Sequence, residues 1–265
     1  MLSDKIGFIG FGNMGAAVGL ACCQSGHSLI VSEPNLTVQK NTENDAIEYC
    51  SSEDVFKSAK YVFLAIKPQM LDVVSNELKP FITPNHVIIS MLAGVTIQSL
   101  KDALGTDQVC RIMPNTPAML KSGVTGVFFG SCINNNYKDD VLNLCQTFGE
   151  NIVVDNEDDM HVITAVSGSG PAFFYRVISM FTIFAQHKGL NKTQALKAAT
   201  NTMLGSAKML NEFPDPETLI KNVTSPNGTT FAGLKQMDKN LLDDKFEDVL
   251  NAAYNRSVEL SKGDI

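Results

Sequence analysis

The run Gly10-Phe11-Gly12-Asn13-Met14-Gly15 has glycines at the G-x-G-x-x-G spacing, after the apolar Ile6-Gly7-Phe8-Ile9 and before a helix-like stretch from Ala16 to Gln24. In that context Gly10 permits a tight turn, Gly12 lets the main chain approach a pyrophosphate, and Gly15 allows the helix to pack closely. The helix start adds N–H donors and a dipole that favours phosphate. Glu33 ends the next strand-like run, near the offset of about 20 residues at which an acid holds an adenosine ribose. A carboxylate there accepts hydrogen bonds from a 2′-hydroxyl but repels a 2′-phosphate, so Glu33 alone favours NADH. No Lys or Arg follows it until Lys40, although Asn35, Thr37 and main-chain N–H groups are open as phosphate partners. Glu33 also reads as an exposed turn acid before Pro34.

Two further segments crowd small hydroxyl residues and glycines ahead of helices: Ser167-Gly168-Ser169-Gly170-Pro171-Ala172 and Thr224-Ser225-Pro226-Asn227-Gly228-Thr229-Thr230. Ordinary N-capping explains one hydroxyl per helix, whereas the second segment has four. Glycine beside successive free amides forms a nest for a carboxylate, so a small anionic substrate can bind there without Arg or Lys. Ala65-Ile66-Lys67-Pro68, Met91-Leu92-Ala93-Gly94 and Met113-Pro114-Asn115-Thr116-Pro117 follow strand-like runs, where an open α/β sheet presents its ligand crevice. Lys67 is placed for a ribose or phosphate, or is a solvated strand end.

Other chemistries find no support. Cys22, Cys23, Cys50, Cys110, Cys132 and Cys145 form no C-x-x-C pair and sit mostly in apolar runs, which predicts buried thiols. His27, His86, His161 and His187 make no metal-ligand spacing and no recognisable cysteine–histidine context, so neither a metal nor a cysteine nucleophile is expected.

The elements that must position these residues follow from periodicity. With 265 residues, 44% of them hydrophobic, the chain has enough apolar material for one or two cores. The excess of 28 acidic over 21 basic residues, a formal charge of −7, argues against nucleic-acid and anionic-membrane partners. The greasiest stretch, Ala172 to Ala185, is broken by Arg176, and Met1-Leu2-Ser3-Asp4-Lys5 does not read as a signal peptide, so the expected compartment is the cytoplasm. Ile6–Ile9, Leu29–Val31, Tyr61–Ala65, Val87–Ile89 and Val109–Ile112 read as strands alternating with helical segments, which predicts a parallel sheet with helices on both faces. After Asp155 helical periodicity takes over, with Phe174, Ile178, Phe181 and Ala185 on one face. The expected division is residues 1–155 and 156–265. Phe173, Phe174, Phe181, Phe184, Met203 and Met209 exceed what one small bundle face needs, which points to a dimer through this domain or to one well-filled core.

On these residues the chain resembles the pyrroline-5-carboxylate reductase family over nearly its whole length. Val223-Thr224-Ser225-Pro226-Asn227-Gly228-Thr229-Thr230-Phe231-Ala232-Gly233-Leu234 is similar to the family signature, and the Met113–Pro117 and Ser167–Ala172 segments match two further family motifs. The resemblance implies an α/β fold class: an N-terminal Rossmann-like doubly wound parallel sheet plus a C-terminal all-α dimerisation domain. It also implies hydride transfer to the C=N carbon of 1-pyrroline-5-carboxylate, giving L-proline. NADP(H) is the implied cofactor by family default, with NAD(H) open because Glu33 stands where NADPH users commonly have a small polar residue.

Implied cofactor residues are Ile9, Gly10, Phe11, Gly12, Asn13, Met14, Glu33, Ser52, Ala65, Ile66, Lys67, Pro68, Met91, Leu92, Ala93, Glu157 and Asn222. The implied substrate residues are Ser225, Asn227, Gly228, Thr229 and Thr230; Ser225 and the Gly228–Thr230 amides hold the carboxylate, and the Thr230 hydroxyl meets the ring nitrogen as the catalytic group. Asn227 stands where many members have glycine, a position Asn tolerates if the backbone is left-handed. The family forms dimers through its C-terminal helices, often assembled into decamers. An alternative resemblance is to β-hydroxyacid dehydrogenases, which place a catalytic lysine on the helix after a glycine-rich motif; here that helix offers Arg176 and no lysine until Lys188. A non-catalytic NAD(P)H-binding sensor is the alternative from another class.

Overall fold

A computed structural model of the chain describes residues 5–131 and 133–262. Cys132, grouped above with the buried thiols, and the opening Met1–Asp4 lie outside the described residues. The first part builds one sheet from β1 (Ile6–Ile9), β2 (Leu29–Ser32), β3 (Ile47–Tyr49), β4 (Tyr61–Leu64), β5 (Val87–Ser90), β6 (Val109–Met113), β7 (Gly123–Phe129) and β8 (Gly149–Val153), in the order β3-β2-β1-β4-β5-β6-β7-β8. The interleaved helices are α1 (Asn13–Gln24), α2 (Leu36–Asn41), α3 (Ser52–Ser58), α4 (Leu71–Leu78), α5 (Ile97–Leu104) and α6 (Asn135–Gln146).

The central strands are mostly apolar because both their faces are covered. Phe8, Phe63 and Ile89 point to one core with α1 and α6, and their neighbours Ile9, Val62 and Ile88 to the other with α3, α4 and α5. Phe8 and Phe63 stack at 4.7 Å between ring centres. The chain runs from β1 outward to β3 and returns on the other side of β1 as β4, so the crevice of this doubly wound sheet opens at the carboxyl ends of β1 and β4.

Two strands depart from the all-parallel expectation, because β7 pairs antiparallel with β6 and β8 runs parallel to β7. The link between β6 and β7 is a short 3-10 turn, Thr116–Leu120, and a parallel return needs a longer crossover. Helix α6 supplies such a crossover before β8, which pairs parallel with β7.

Helices follow β8: α7 (Asp159–Ile163), a π-turn over Thr164–Gly168, α8 (Gly170–His187), α9 (Lys192–Glu212), α10 (Pro216–Asn222), α11 (Thr229–Lys239) and α12 (Leu242–Ser261). By contacts the chain forms two units, Met1–Ser169 with Ala253–Ile265, and Gly170–Ala252. Within the second unit α8 and α9 form a hairpin, and Asn191 and Gln194 close a reciprocal capping box at the start of α9. No described helix is long and apolar enough to cross a membrane.

Candidate functional site

The glycine turn between β1 and α1 is shaped by close approaches on one side only. Gly10 has φ +84°, and a Cβ there would lie 2.8 Å from the Ala65 carbonyl oxygen, so the turn requires glycine where the end of β4 meets it. Gly15 packs against the Gly10 carbonyl, whereas nothing lies within 4 Å of where a Gly12 Cβ would stand. The turn therefore presents bare main chain on the Gly12 side, a fit for a pyrophosphate. Ile9, Phe11 and Leu92 are buried, so they can meet a ligand only through main chain, while Asn13 and Lys67 are exposed.

Glu33 is anchored against this turn. Its Oε2 accepts from the Phe11 N–H at 2.7 Å and its Oε1 from the Asn35 N–H at 2.9 Å. Gln39 donates to the Glu33 carbonyl at 2.6 Å, and Asn35 caps α2, so the segment after β2 is fixed by its own short-range bonds. Ser52 is buried, with its hydroxyl 3.0 Å from that of Ser32 at the end of β2. Glu157 accepts from the Ile97 N–H at 2.7 Å and pairs with the buried Arg111 at 2.6 Å.

Helix starts differ in how their first N–H groups are met. Side chains cap α2, α3, α5, α6, α9 and α10 through Asn35, Ser51, Thr96, Asn134, Asn191 and Asp215. By contrast, α1 and α11 open on Gly12 and Gly228 with no side-chain cap and no acid in the first turn. Helices α4 and α7 also lack a side-chain cap, but each continues a residue already in right-handed conformation. The leading N–H groups of α1 and α11 thus have no side-chain cap, the arrangement that attracts anions.

Around the start of α11 the hydroxyl segment sorts itself. The Thr224 hydroxyl donates back to the Ile220 carbonyl at 2.6 Å, and the Gly228 N–H donates to the Ser225 carbonyl at 3.0 Å. That leaves the hydroxyls of Ser225, Thr229 and Thr230 with the Thr229 and Thr230 amides. A Cβ at Gly228 would collide with the Ser225 hydroxyl as it is placed, so any side chain there would displace that hydroxyl. Asn227 has φ +58°, the left-handed conformation its position demands. Asn222 is exposed at the end of α10.

The other glycine–serine motif is held structurally. Asn115 donates through Nδ2 to the Ser167 carbonyl at 3.1 Å and accepts from the Val124 N–H at 3.0 Å, which ties the Met113–Pro117 motif, β7 and the π-turn together. Both motifs are visible in the sequence, but the bond between them joins residues 52 positions apart, beyond any short-range pattern. Burial pushes the Cys22 thiol up to about 12 and raises those of Cys110 and Cys145, whereas Cys23 and Cys50 are half-buried, against the expectation of buried thiols. On α8 the basic side chain is Arg176, and Lys188 comes after the helix has ended.

Residues 157–260 match the family described as pyrroline-5-carboxylate reductase dimerisation, and residues 5–94 the family described as NADP oxidoreductase, coenzyme F420-dependent. The chain is 38% identical to a pyrroline-5-carboxylate reductase of Staphylococcus saprophyticus, over 98% of this chain and 99% of that one. Among solved structures, a pyrroline carboxylate reductase of Plasmodium falciparum with NADP bound superposes with a TM-score of 0.89 at 26% identity, covering 98% of this chain and 99% of that one. A pyrroline-5-carboxylate reductase of Coxiella burnetii gives a TM-score of 0.89 at 30% identity, with the same coverage.

Proposed function

The chain belongs to the pyrroline-5-carboxylate reductase family, and on that premise we propose how its residues divide the work. It is an oxidoreductase that reduces 1-pyrroline-5-carboxylate to L-proline with a nicotinamide dinucleotide, and it self-associates through its dimerisation domain. The observation that carries the assignment of roles is the start of α11. There an uncapped 11-residue helix, three hydroxyls and a left-handed Asn227 surround main-chain donors, with no acid in the first turn to compete for them.

In this reading Ser225 and the Thr229 and Thr230 amides receive the substrate carboxylate, Asn227 and Gly228 shape the turn, and the Thr230 hydroxyl orients the ring nitrogen. A cyclic imine is basic enough to be protonated near neutrality, and the resulting iminium carbon is already electrophilic. Positioning therefore contributes most of the catalysis, and a hydroxyl is too weak an acid to be given more than an orienting and proton-relaying role. A bound nicotinamide supplies the hydride. The Gly10–Met14 turn and the start of α1 receive the pyrophosphate, with Ala65–Pro68 and Met91–Ala93 lining the crevice beside them.

We assign NADH as the preferred cofactor. The two N–H groups that anchor Glu33 hold its carboxylate at the edge of the glycine turn, where it accepts from a ribose diol and opposes a 2′-phosphate. The functional boundary is set at residues 155 and 156, between the end of β8 and the first helix of the dimerisation match, although residues 156–169 pack with the sheet unit. The dimer is the proposed assembly and the cytoplasm the proposed compartment.

Nicotinamide absorbance measured with 1-pyrroline-5-carboxylate tests the site. The wild type is expected to oxidise NADH rapidly, and Thr230→Ala to lower kcat about tenfold to a hundredfold, as a lost hydrogen bond to a charged group implies. Its dinucleotide Kd is expected to stay near the wild-type value. Wild-type kinetics in Thr230→Ala would remove Thr230 from the mechanism.

A further inference from the structure

Glu157, implied by the resemblance as a cofactor residue, belongs to a buried polar cluster between the sheet and the end of α12 whose other members have no role in the site described so far. Arg111 on β6 is almost fully buried, and its guanidinium pairs with Glu157 at 2.6 Å. The same Glu157 oxygen accepts from the N–H of Ile97, the first residue of α5. Four residues after Glu157, on α7, the buried His161 accepts or donates at Nδ1 with the Ser257 hydroxyl at 2.8 Å. Tyr254 sets its ring edge-to-face on His161, with centres 6.1 Å apart. Tyr254, Ser257 and Leu260 fall at intervals of three on α12, so one face of its last turns lies on this cluster.

Leu260 completes the contact. Gly94 has φ +75°, and a Cβ there would stand 2.8 Å from the Leu260 Cβ and 3.0 Å from its carbonyl carbon. The segment between β5 and α5 is thus fixed at three points. The Met91 N–H donates to the Leu64 carbonyl of β4 at 3.0 Å, Leu260 backs Gly94, and Glu157 receives Ile97. Between those points Met91 and Ala93 are half-buried, at the carboxyl end of β5.

We propose that Glu157 and the last turns of α12, through Ser257 and Leu260, are positioning residues that clamp the Met91–Ile97 segment against the dinucleotide. Glu157 then acts through Ile97 and Arg111, and its effect on the cofactor is transmitted by the segment. A buried guanidinium without its carboxylate is strongly disfavoured, so Glu157 cannot turn away from Arg111 cheaply, and the clamp is stiff. The inference rests on the reading that Met91–Ala93 line the dinucleotide crevice.

The test is NADH binding followed by nicotinamide fluorescence, with steady-state kinetics beside it, in Glu157→Ala, Glu157→Gln, Ser257→Ala, Leu260→Ala and Ala93→Phe, each checked for folding by its melting curve. Glu157→Ala and Leu260→Ala are expected to weaken NADH binding about tenfold, while the KM for 1-pyrroline-5-carboxylate stays within about twofold. Glu157→Gln keeps an acceptor for Ile97 and is expected to recover part of the loss; Ser257→Ala, the mildest change, should give a smaller shift of the same sign. A purely structural role would lower the melting temperature without separating NADH affinity from the imine KM, and that outcome overturns the clamp. If Ala93→Phe blocks NADH while Glu157→Ala and Leu260→Ala bind it normally, the crevice reading stands and the clamp fails. If Ala93→Phe binds NADH as the wild type does, the crevice reading fails and the clamp fails with it.

Discussion

At the scale of single residues, Glu33 and Thr224 show what local sequence can and cannot disclose. Glu33 is legible as a candidate ribose acid because its offset from the glycine turn is fixed by one βαβ unit. Its double anchorage to Phe11 and Asn35 is not, since it depends on how the loop after β2 folds back on the turn after β1. That anchorage predicts the effect of Glu33→Ser: the ratio of kcat/KM for NADH over NADPH should fall about 10- to 100-fold, the worth of one or two charged hydrogen bonds to a ribose. An unchanged ratio, measured with both dinucleotides at one ionic strength, would show that the carboxylate does not read the 2′-position. Thr224 is the converse case. It counts among four hydroxyls in the sequence, and the structure removes it from the site because its hydroxyl is satisfied by the helix behind it.

At the scale of elements, the five strands between Lys5 and Ile112 that form the middle of the sheet are legible because each is mostly apolar on both faces, with Arg111 on β6 the charged exception. β3 and β7 escape that signal for different reasons. β3 is three residues at the sheet edge, half-exposed, and β7 includes Gly123 and Gly126, which weaken any strand pattern. The glycine at 126 has a packing cause: Ile163 of α7 lies where its side chain would be. Asn115 joins β6, β7 and the π-turn, three elements that no short-range pattern connects. Because it is buried and holds main-chain groups of both partners, Asn115→Ala should cost about 2–3 kcal/mol by leaving them unsatisfied, and lower the thermal midpoint by several degrees. Calorimetry on the variant checks this; a midpoint within a degree of wild type would mean that water or a local shift replaces the amide.

At the scale of the whole molecule, the sheet unit closes its own cores and the Gly170–Ala252 unit does not. On α8, Phe174, Phe181 and Phe184 are each 58–63% exposed, and the residues of that helix that are buried are Gly170 and Thr182. An apolar face of this kind marks an interface, in keeping with the dimerisation match over residues 157–260. Phe181→Glu should therefore convert the assembly to a smaller species in sedimentation velocity, and an unchanged sedimentation coefficient would move the interface elsewhere. Periodicity makes these faces visible in the sequence, but whether they meet each other or a second chain is decided by tertiary packing. Two bare helix starts carry the proposed chemistry, α1 for the pyrophosphate and α11 for the substrate carboxylate. The measurement that tests it most directly is a crystal structure of the protein with NAD and L-proline bound. The expected result is the proline carboxylate within hydrogen-bonding distance of the Thr229 and Thr230 amides and the Ser225 hydroxyl, with the ring nitrogen at the Thr230 hydroxyl. A carboxylate held by a lysine or arginine away from α11 would contradict it.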